Sequence, residues 1–229
     1  MKTLVELAIG HLGDAIANGK YPENVMPKHD ALCMQLGMSR STIREAISVL
    51  SARAMLDVRP RRGTQIMPTR TWKMIDADVV KWRVRAQQSD AAFLHDLAGF
   101  QALVAPAAAA QAALHASEAH RTLINSAYRA LLHAAEPVAY GDAREAFHRA
   151  IVKASGNQIF EQLTDLVCIA RPATHEQWRV GRIRAERKMV TRLMASIDRR
   201  DAALAWAAMS DLLGFRGEGQ GADETVLSI

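Results

Sequence analysis

The sequence predicts a mainly α-helical chain with one short β-hairpin, and three observations support that prediction. Aromatic residues make up 5% of the 229 residues, and alanine is concentrated between residues 91 and 135, a composition that favours helices over sheets. Apolar residues recur at intervals of three and four along most of the chain, as they do on the buried face of a helix. Residues 56–67 instead alternate apolar with polar residues around a Pro/Gly turn, which predicts one short β-hairpin.

Composition excludes several classes of protein. The chain is 49% hydrophobic and 23% charged, so a sizeable core is expected and global disorder is not. We expect no membrane-spanning segment, because no uninterrupted run of about 18 apolar residues is present, and the first residues lack the apolar stretch of a signal peptide. The two distant cysteines, Cys33 and Cys168, exclude a disulfide framework and indicate a cytoplasmic protein.

Three helices are predicted at the start of the chain. In order, they cover residues 4–18, 31–36 and 40–55. Asp30 and Ser39 stand where the second and third helices would be capped, and Gly37 ends the second helix. About three residues connect the second helix to the third, which is the spacing of a helix-turn-helix.

A hairpin follows the third helix directly, with Pro60 to Gly63 as its turn. A hairpin in this place is a wing, so residues 1–68 are predicted to form a winged helix-turn-helix domain. Residues 69–75 are the expected linker, 76–214 an all-α bundle of six or seven helices, and 215–229 a glycine-rich flexible tail. The helices expected after the linker cover 75–88, 91–115, 117–134, 141–155, 157–176, 180–199 and 201–213.

The formal net charge is +5, and residues 1–70 carry +4 of it. In a helix-turn-helix, the second helix presents its N-terminal residues to DNA bases in the major groove. Those residues are Arg40, Ser41, Thr42 and Arg44. Arginine can bind guanine with two hydrogen bonds or take a phosphate, and the first helical turn suits phosphate oxygens.

The wing and the entry to the motif add further candidate DNA contacts. Arg61 and Arg62 lie at the hairpin tip beside Gly63 and Thr64, where glycine allows close backbone approach and arginine suits the minor groove. Lys28, just before the second helix, can add a phosphate contact. The alternative is that these cations form only a solvated surface. The serine cap, the Arg-x-x-x-Arg pair and the basic hairpin in one short stretch favour double-stranded DNA instead.

Residues 26–64 resemble the GntR family of bacterial transcription regulators. The matching positions are Ser39, Arg40, Thr42, Arg44, Glu45, Ala46, Gly63 and Thr64. His29 replaces a usual glutamate, and Arg62 replaces a wing glycine. The resemblance implies binding to operator DNA.

The helical part resembles the FadR branch of that family. The matching motifs are Phe147-His148, Ala154 to Asn157, and Ala195 to Ile197 followed by Asp201, and the segment from Trp72 to Trp82 is similar to regulators of sugar-acid catabolism. The resemblance implies a homodimer whose helical domain binds a small organic or sugar acid and thereby changes how the DNA-binding domains are spaced.

Many members of that branch hold the effector through a metal bound by one aspartate and three histidines. His148 is retained, but Arg144 stands at the aspartate position, and Val190 and Leu212 fall at the later histidine positions. One imidazole holds a transition metal poorly. We therefore expect no metal and no other cofactor in this chain.

Arg144 admits two interpretations. It supplies directly the positive charge that a metal would offer to a carboxylate, or it forms an internal salt bridge with an acid such as Glu186 or Asp165. Gln101 stands where the family usually has an arginine on the first long helix of the bundle, and it joins Arg144 and His148 in the candidate effector-binding set. Arg171 and His175, four residues apart on a later helix, complete that set, and the alternative for these two is an exposed helix face.

Three functions follow from these observations. The leading hypothesis is a cytoplasmic, ligand-responsive transcription regulator, a repressor of a catabolic operon, acting as a homodimer without a membrane. A second keeps DNA binding but makes the helical domain architectural, with no effector. A metal-dependent helical enzyme is disfavoured, because the sequence shows no nucleophile–His–acid arrangement and no paired-carboxylate motif.

Overall fold

The computed structural model describes residues 3–59, 63–86, 90–169 and 180–217. It forms two compact units, Met1–Ala91 and Ala92–Ile229. The prediction of a mainly α chain with a winged helix-turn-helix and an all-α second part is confirmed.

The N-terminal unit contains four helices and one hairpin among its described residues. They are α1 (Leu4–Ala17), α2 (His29–Leu36), α3 (Arg40–Ala52), β1 (Leu56–Arg59), β2 (Gly63–Ile66) and α4 (Ala77–Arg85), with short 3₁₀ turns at Pro22–Asn24 and Thr69–Thr71. Thr3 caps α1 through a reciprocal capping box with Glu6.

Local signals define the helix-turn-helix. Gly37 ends α2 in the left-handed conformation, with φ of 63°, and the Ser39 hydroxyl caps α3 by accepting a hydrogen bond from the Thr42 N–H at 3.2 Å. The buried stripe of α3 consists of Thr42, Ile43, Ala46, Ile47 and Leu50. The helix ends at Ala52, three residues earlier than expected, since Ala54 adopts a φ of 57° and turns the chain toward β1.

The predicted wing is an antiparallel hairpin. Its register pairs Leu56 with Ile66 and Arg59 with Gly63. Val25 forms an isolated bridge with Gln65, so the segment before α2 lies along the free edge of β2. Residues 60–62, the tip of the wing, lie outside the described residues.

Helix α4 packs into the core of the N-terminal unit. Val79 is fully buried, Trp82 is 6% exposed, and both pack in one cluster with Leu12 of α1. Trp72 belongs to the same cluster, and its indole N–H donates to the Met67 carbonyl at 2.8 Å. This packing differs from the sequence-based division, which made 69–75 a linker and assigned the following helix to the bundle.

Two features of the N-terminal unit explain the docking of α4. A Cβ placed on Gly13 of α1 would lie 2.5 Å from the Trp82 ring, so only glycine leaves room for the indole. Arg53, at the end of α3, forms ion pairs with Asp76 and Asp78, each at 2.8 Å, and its guanidinium lies 5.3 Å from the Trp82 ring centroid. Apolar packing and charge pairing therefore hold α4 against α1 and the end of α3.

The second unit is built from helices throughout its described residues. They are α5 (Ala91–His115), α6 (Glu118–His133), α7 (Pro137–Ala154), α8 (Gln158–Gln162), α9 (Thr164–Cys168), α10 (Val180–Asp198) and α11 (Ala202–Gly217). Helix α7 begins at Pro137, where a break over 137–141 was expected, because proline is tolerated in a first turn. The helix expected over 157–176 is interrupted at Leu163, which separates α8 from α9.

Alanines dominate the buried face of α5. Ala108, Ala109, Ala112 and Ala113 are fully buried and pack in one cluster with Phe147, Ile151 and Leu193. By length and composition α5 is apolar enough to cross a membrane, although its apolar residues do not form an uninterrupted run. Its buried alanines make it a core helix of this unit.

Candidate nucleic-acid interface and candidate ligand site

The N-terminus of α3 presents two arginines to solvent one helical turn apart. Arg40 and Arg44 are both exposed, and the Arg40 side chain retains 75% of its accessible surface. Ser41 is exposed beside them. Exposed cations at a helix N-terminus form a surface suited to phosphate and base contacts.

Thr42 is placed differently from its neighbours. It is 9% exposed, and its hydroxyl lies 2.8 Å from the Ser39 hydroxyl, which also lies 2.8 Å from that of Ser41. This hydroxyl cluster stabilises the first turn of α3. The predicted DNA contact of Thr42 stays a prediction, whereas its structural contribution is direct.

Asp30 forms an ion pair with Arg40 that the sequence did not indicate. The Asp30 carboxylate lies 2.9 Å from Nε of Arg40, and the Asp30 side chain is 64% exposed. Asp30 was expected to cap α2, and this expectation is wrong: Lys28 occupies the cap position, without a side-chain hydrogen bond, and Asp30 lies in the first turn. Lys28 itself is exposed, as its predicted phosphate contact requires.

The two predicted DNA contacts in the described part of the wing, Gly63 and Thr64, differ in exposure. Gly63 is exposed with φ of 76°, a conformation that favours glycine. Thr64 is buried, and its carbonyl accepts a hydrogen bond from the Met26 N–H at 2.9 Å, so it anchors the hairpin. Arg61 and Arg62 lie outside the described residues.

In the helical unit, Arg144 of α7 faces Glu186 of α10. The Arg144 side chain is 16% exposed and that of Glu186 is 9% exposed, with NH1 and Oε1 3.7 Å apart. The salt bridge anticipated as one interpretation of Arg144 is therefore present, with the first of the two acids considered. The second, Asp165, pairs with Arg149.

His148 lies one turn after Arg144 on α7. It is 5% exposed, and its ring packs edge-on against Phe147, with centroids 5.9 Å apart. The structure thus buries His148 on the same helix as the partly buried Arg144.

The residues at the family's metal positions do not fit a metal. Val190 and Leu212 are fully buried hydrocarbon side chains without donor atoms, and Arg144 is a cation that would repel a metal ion. Within the described ranges, no group of three or more His, Cys, Asp or Glu side chains is arranged to hold a metal.

Gln101 is engaged by the backbone. Its side-chain nitrogen donates to the carbonyls of Leu166 and Ile169, each at 2.9 Å, which ties α5 to the end of α9. A role in effector binding stays a prediction for Gln101. Arg171 and His175 lie outside the described residues.

Sequence reasoning did not single out two further arginines of this unit. Arg187, next to Glu186, donates to the Ala134 carbonyl at 2.6 Å and lies 5.6 Å from the Tyr140 ring centroid. Its Nε is buried and makes no hydrogen bond within the described part of the chain. No spacing signal distinguishes Arg187 from the other cations of α10.

Arg149 is the second of these arginines. It donates hydrogen bonds to Glu145 and Asp165. Burial by itself lowers the pKa of Arg149, but the two carboxylates raise the pKa overall. Arg149 therefore remains charged and joins α7 to α9.

Two family models match the sequence. The model of the gntR family of bacterial regulatory proteins matches residues 4–66, and the FCD domain model matches residues 96–215. The "Galactonate operon transcriptional repressor" of Escherichia coli K12 is 28% identical over 172 residues, covering 74% of this chain and 75% of that protein. The "Glc operon transcriptional activator" of the same strain is 28% identical over 152 residues, covering 62% of this chain and 58% of that protein.

Solved structures share the fold at low sequence identity. Lar, described as controlling expression of the Listeria monocytogenes agr system, superposes with a TM-score of 0.62 at 18% identity, covering 96% of this chain and 97% of that one. E. coli McbR/YncC gives a TM-score of 0.54 at 16% identity, covering 95% of this chain and 97% of that one.

Proposed function

This chain belongs to the gntR family of bacterial regulatory proteins and carries an FCD domain, and from that premise we propose that it is a repressor of a catabolic operon controlled by a small carboxylate. It is a DNA-binding transcription regulator and not an enzyme. Its target, its effector and the sign of its regulation are the proposed parts.

The exposed N-terminus of α3 is the observation that supports DNA reading by named residues. Arg40 and Arg44 extend from a helix whose opposite face is buried against the unit, so they are the side chains available to the major groove. The exposed positions Lys28 and Gly63 flank this helix in the chain and suit phosphate contacts. Arg61 and Arg62 remain the proposed wing contacts.

Repression of a catabolic operon is proposed from the relatives. The galactonate operon repressor matches three quarters of this chain, a wider span than the glc operon activator does. Both printed names refer to operons, and galactonate is a sugar acid. We therefore propose a sugar acid or a similar small carboxylate as the effector.

Arg144 supports the carboxylate as the effector's chemical class. Its guanidinium lies 3.7 Å from Glu186, beyond hydrogen-bonding distance, so this pair has Coulomb attraction but not the short charge-assisted contact of a tight salt bridge. An effector carboxylate that bound Arg144 closely would gain that contact. His148, on the next turn, is the proposed second polar contact.

The effector is proposed to bind without a metal. Arg144, Val190 and Leu212 do not fit a metal ion, and the fixed positive charge of Arg144 offers an anion the attraction that a metal would offer. Metal analysis of dialysed protein tests this proposal. Stoichiometric zinc, manganese or nickel would contradict it.

The active form is proposed to be a cytoplasmic homodimer that needs no membrane. Two-fold protein symmetry matches a pseudo-palindromic operator with two half-sites. Sedimentation of the full chain at micromolar concentration tests the dimer, and a monomer that still protects two half-sites equally would contradict it.

Footprinting at physiological salt tests the regulatory proposal. The full chain should protect a two-fold site upstream of an operon, and a panel of sugar acids and other small carboxylates should contain one that releases it. Absence of any protected site would overturn the proposal.

The architectural alternative keeps DNA binding and omits the effector. It is favoured by the existing Arg144–Glu186 contact, which gives Arg144 an internal partner. Thermal-shift screening separates the two. A melting temperature that no carboxylate moves, together with a protected operator, would support the architectural form.

A further inference from the structure

An acid that pairs with Arg40 lies on the surface that the proposed function turns toward DNA. Asp30, in the first turn of α2, is 64% exposed and lies 2.9 Å from Arg40 at the start of α3. A carboxylate beside the phosphate backbone is repelled by it, because DNA carries one negative charge per roughly 1.7 Å of its axis. Its presence on this surface therefore needs an explanation.

Stability does not supply that explanation. An exposed ion pair of this kind contributes about 0–1 kcal/mol. Asp30 does not cap α2, since Lys28 is at the cap position and makes no side-chain hydrogen bond there. The favourable interaction of a carboxylate with the helix dipole would be available at other positions of the same turn.

The contact between Asp30 and Arg40 suggests a role in recognition. The closest approach runs through Nε of Arg40, on the side of the guanidinium, rather than through a terminal nitrogen. The two terminal nitrogens of an arginine can together make a bidentate contact with guanine O6 and N7. A carboxylate at Nε therefore restricts the guanidinium while leaving its base-reading end available.

We propose that Asp30 is a positioning residue that fixes the sequence specificity of Arg40. Its carboxylate holds Arg40 in an orientation suited to a base edge and repels a phosphate that would otherwise take the same guanidinium. This inference rests on the proposed DNA reading by α3, and it adds a residue that contacts Arg40 rather than DNA.

Arg44 provides the internal comparison. It lies on the same helix and is also exposed, and the structure shows no ion pair for it within the described residues. Arg44 is therefore the arginine free to bind a phosphate, which adds affinity without base discrimination. The two arginines of α3 therefore have different proposed roles, because among the described residues only Arg40 forms an ion pair with a carboxylate.

Asp30→Asn in the full chain tests the proposal. The probes are a duplex selected in vitro by the unaltered chain, single-base variants of that duplex, and a random duplex. We expect Asp30→Asn to bind the random duplex several-fold more tightly, because Arg40 gains a phosphate contact. The slope of log affinity against log salt concentration should become steeper by about one. For Asp30→Asn, the ratio of affinities between the selected duplex and the duplex altered at the base that Arg40 reads should fall at least fivefold.

Two controls assign the effect to the contact. Asp14→Asn removes an exposed acid from α1 and should leave base discrimination unchanged. In an Arg40→Ala background, Asp30→Asn should not alter discrimination further, because the side chain that it orients is gone. Matching circular dichroism spectra and melting temperatures would show that each variant is folded.

The outcomes separate this inference from the proposed function. If the unaltered chain binds selected and random duplexes equally, both are overturned. If it discriminates and Asp30→Asn discriminates equally well, only the role of Asp30 is overturned. The same follows if Asp30→Asn lowers discrimination equally with and without Arg40.

Discussion

The two units of this protein each place an arginine beside a carboxylate, in opposite environments. In the N-terminal unit the Arg40 and Asp30 side chains are 75% and 64% exposed, whereas in the helical unit Arg144 and Glu186 are 16% and 9% exposed. Exposed charges separate at little cost, but a buried charge that loses its partner is strongly destabilising. The exposed pair is therefore accessible to DNA, while the buried pair can exchange its contact only for another anion.

Removing Arg144 should have the largest effect on folding. Arg144→Met withdraws a cation that faces a buried carboxylate, and we expect a loss of about 3 kcal/mol, the low end for a broken buried pair because the contact is not a hydrogen bond. Chemical denaturation of the full chain measures it. The double variant Arg144→Met/Glu186→Met should recover most of the loss, since buried pairs are often replaceable by apolar groups.

The helical unit offers a matched control for that prediction. Arg192 and Asp211 are also 3.7 Å apart, but their side chains are 69% and 54% exposed. Arg192→Met should cost less than about 1 kcal/mol. Equal losses from Arg144→Met and Arg192→Met would show that burial does not distinguish these pairs.

A substitution in α1 tests whether α4 belongs to the N-terminal unit. Gly13→Ala places a Cβ 2.5 Å from the Trp82 ring, and we expect a loss of about 2 kcal/mol from overpacking. Gly10→Ala, on the same helix with open space around its Cβ, should be neutral or stabilising by up to about 1 kcal/mol. Thermal unfolding compares the two, and an unaffected Gly13→Ala would mean that α4 does not dock as described.

Substitution of Arg40 tests the exposed pair, Arg40 and Asp30. Arg40→Ala should leave stability nearly unchanged but reduce discrimination at one base pair about tenfold, whereas Arg44→Ala should weaken all duplexes similarly. Fluorescence anisotropy with the selected and single-base variant duplexes measures both. If Arg40→Ala lowered the affinity for all duplexes equally, Arg40 would contact a phosphate rather than a base.

The two units also share a helix cap of the same geometry, which gives the smallest predicted effect. Ser39 caps α3 and Ser117 caps α6, each accepting a backbone hydrogen bond at 3.2 Å. Each serine-to-alanine change should cost about 1 kcal/mol. Only Ser39→Ala should also weaken DNA binding, because it loosens the first turn of α3, and equal DNA binding by both variants would argue against that.

The sequence predicts the parts of the fold that depend on neighbouring residues. Ser39, Gly37 and the alternation around Pro60–Gly63 mark a cap, a helix end and a hairpin, and all act within a few residues of chain. The docking of α4 depends instead on Gly13 meeting Trp82, 69 positions away, and no local pattern signals such a contact.

The candidate sites show the same division. Arg40 and Arg44 follow from their position on a helix, but the pairing of Arg40 with Asp30 needs the geometry of the helix-turn-helix. For Arg144, sequence reasoning recognised that a buried cation requires an anion and named two acids. The packing of α7 against its neighbours decides which acid pairs with which arginine: Glu186 pairs with Arg144, and Asp165 pairs with Arg149.

In vitro selection from random duplexes by the full chain, at about 0.15 M salt, tests the central claim most directly. The account predicts enrichment of one sequence with two inverted half-sites, bound at least about 10³-fold more tightly than random DNA. Recovery of duplexes with no common sequence, bound no better than the starting pool, would contradict the claim that α3 reads an operator.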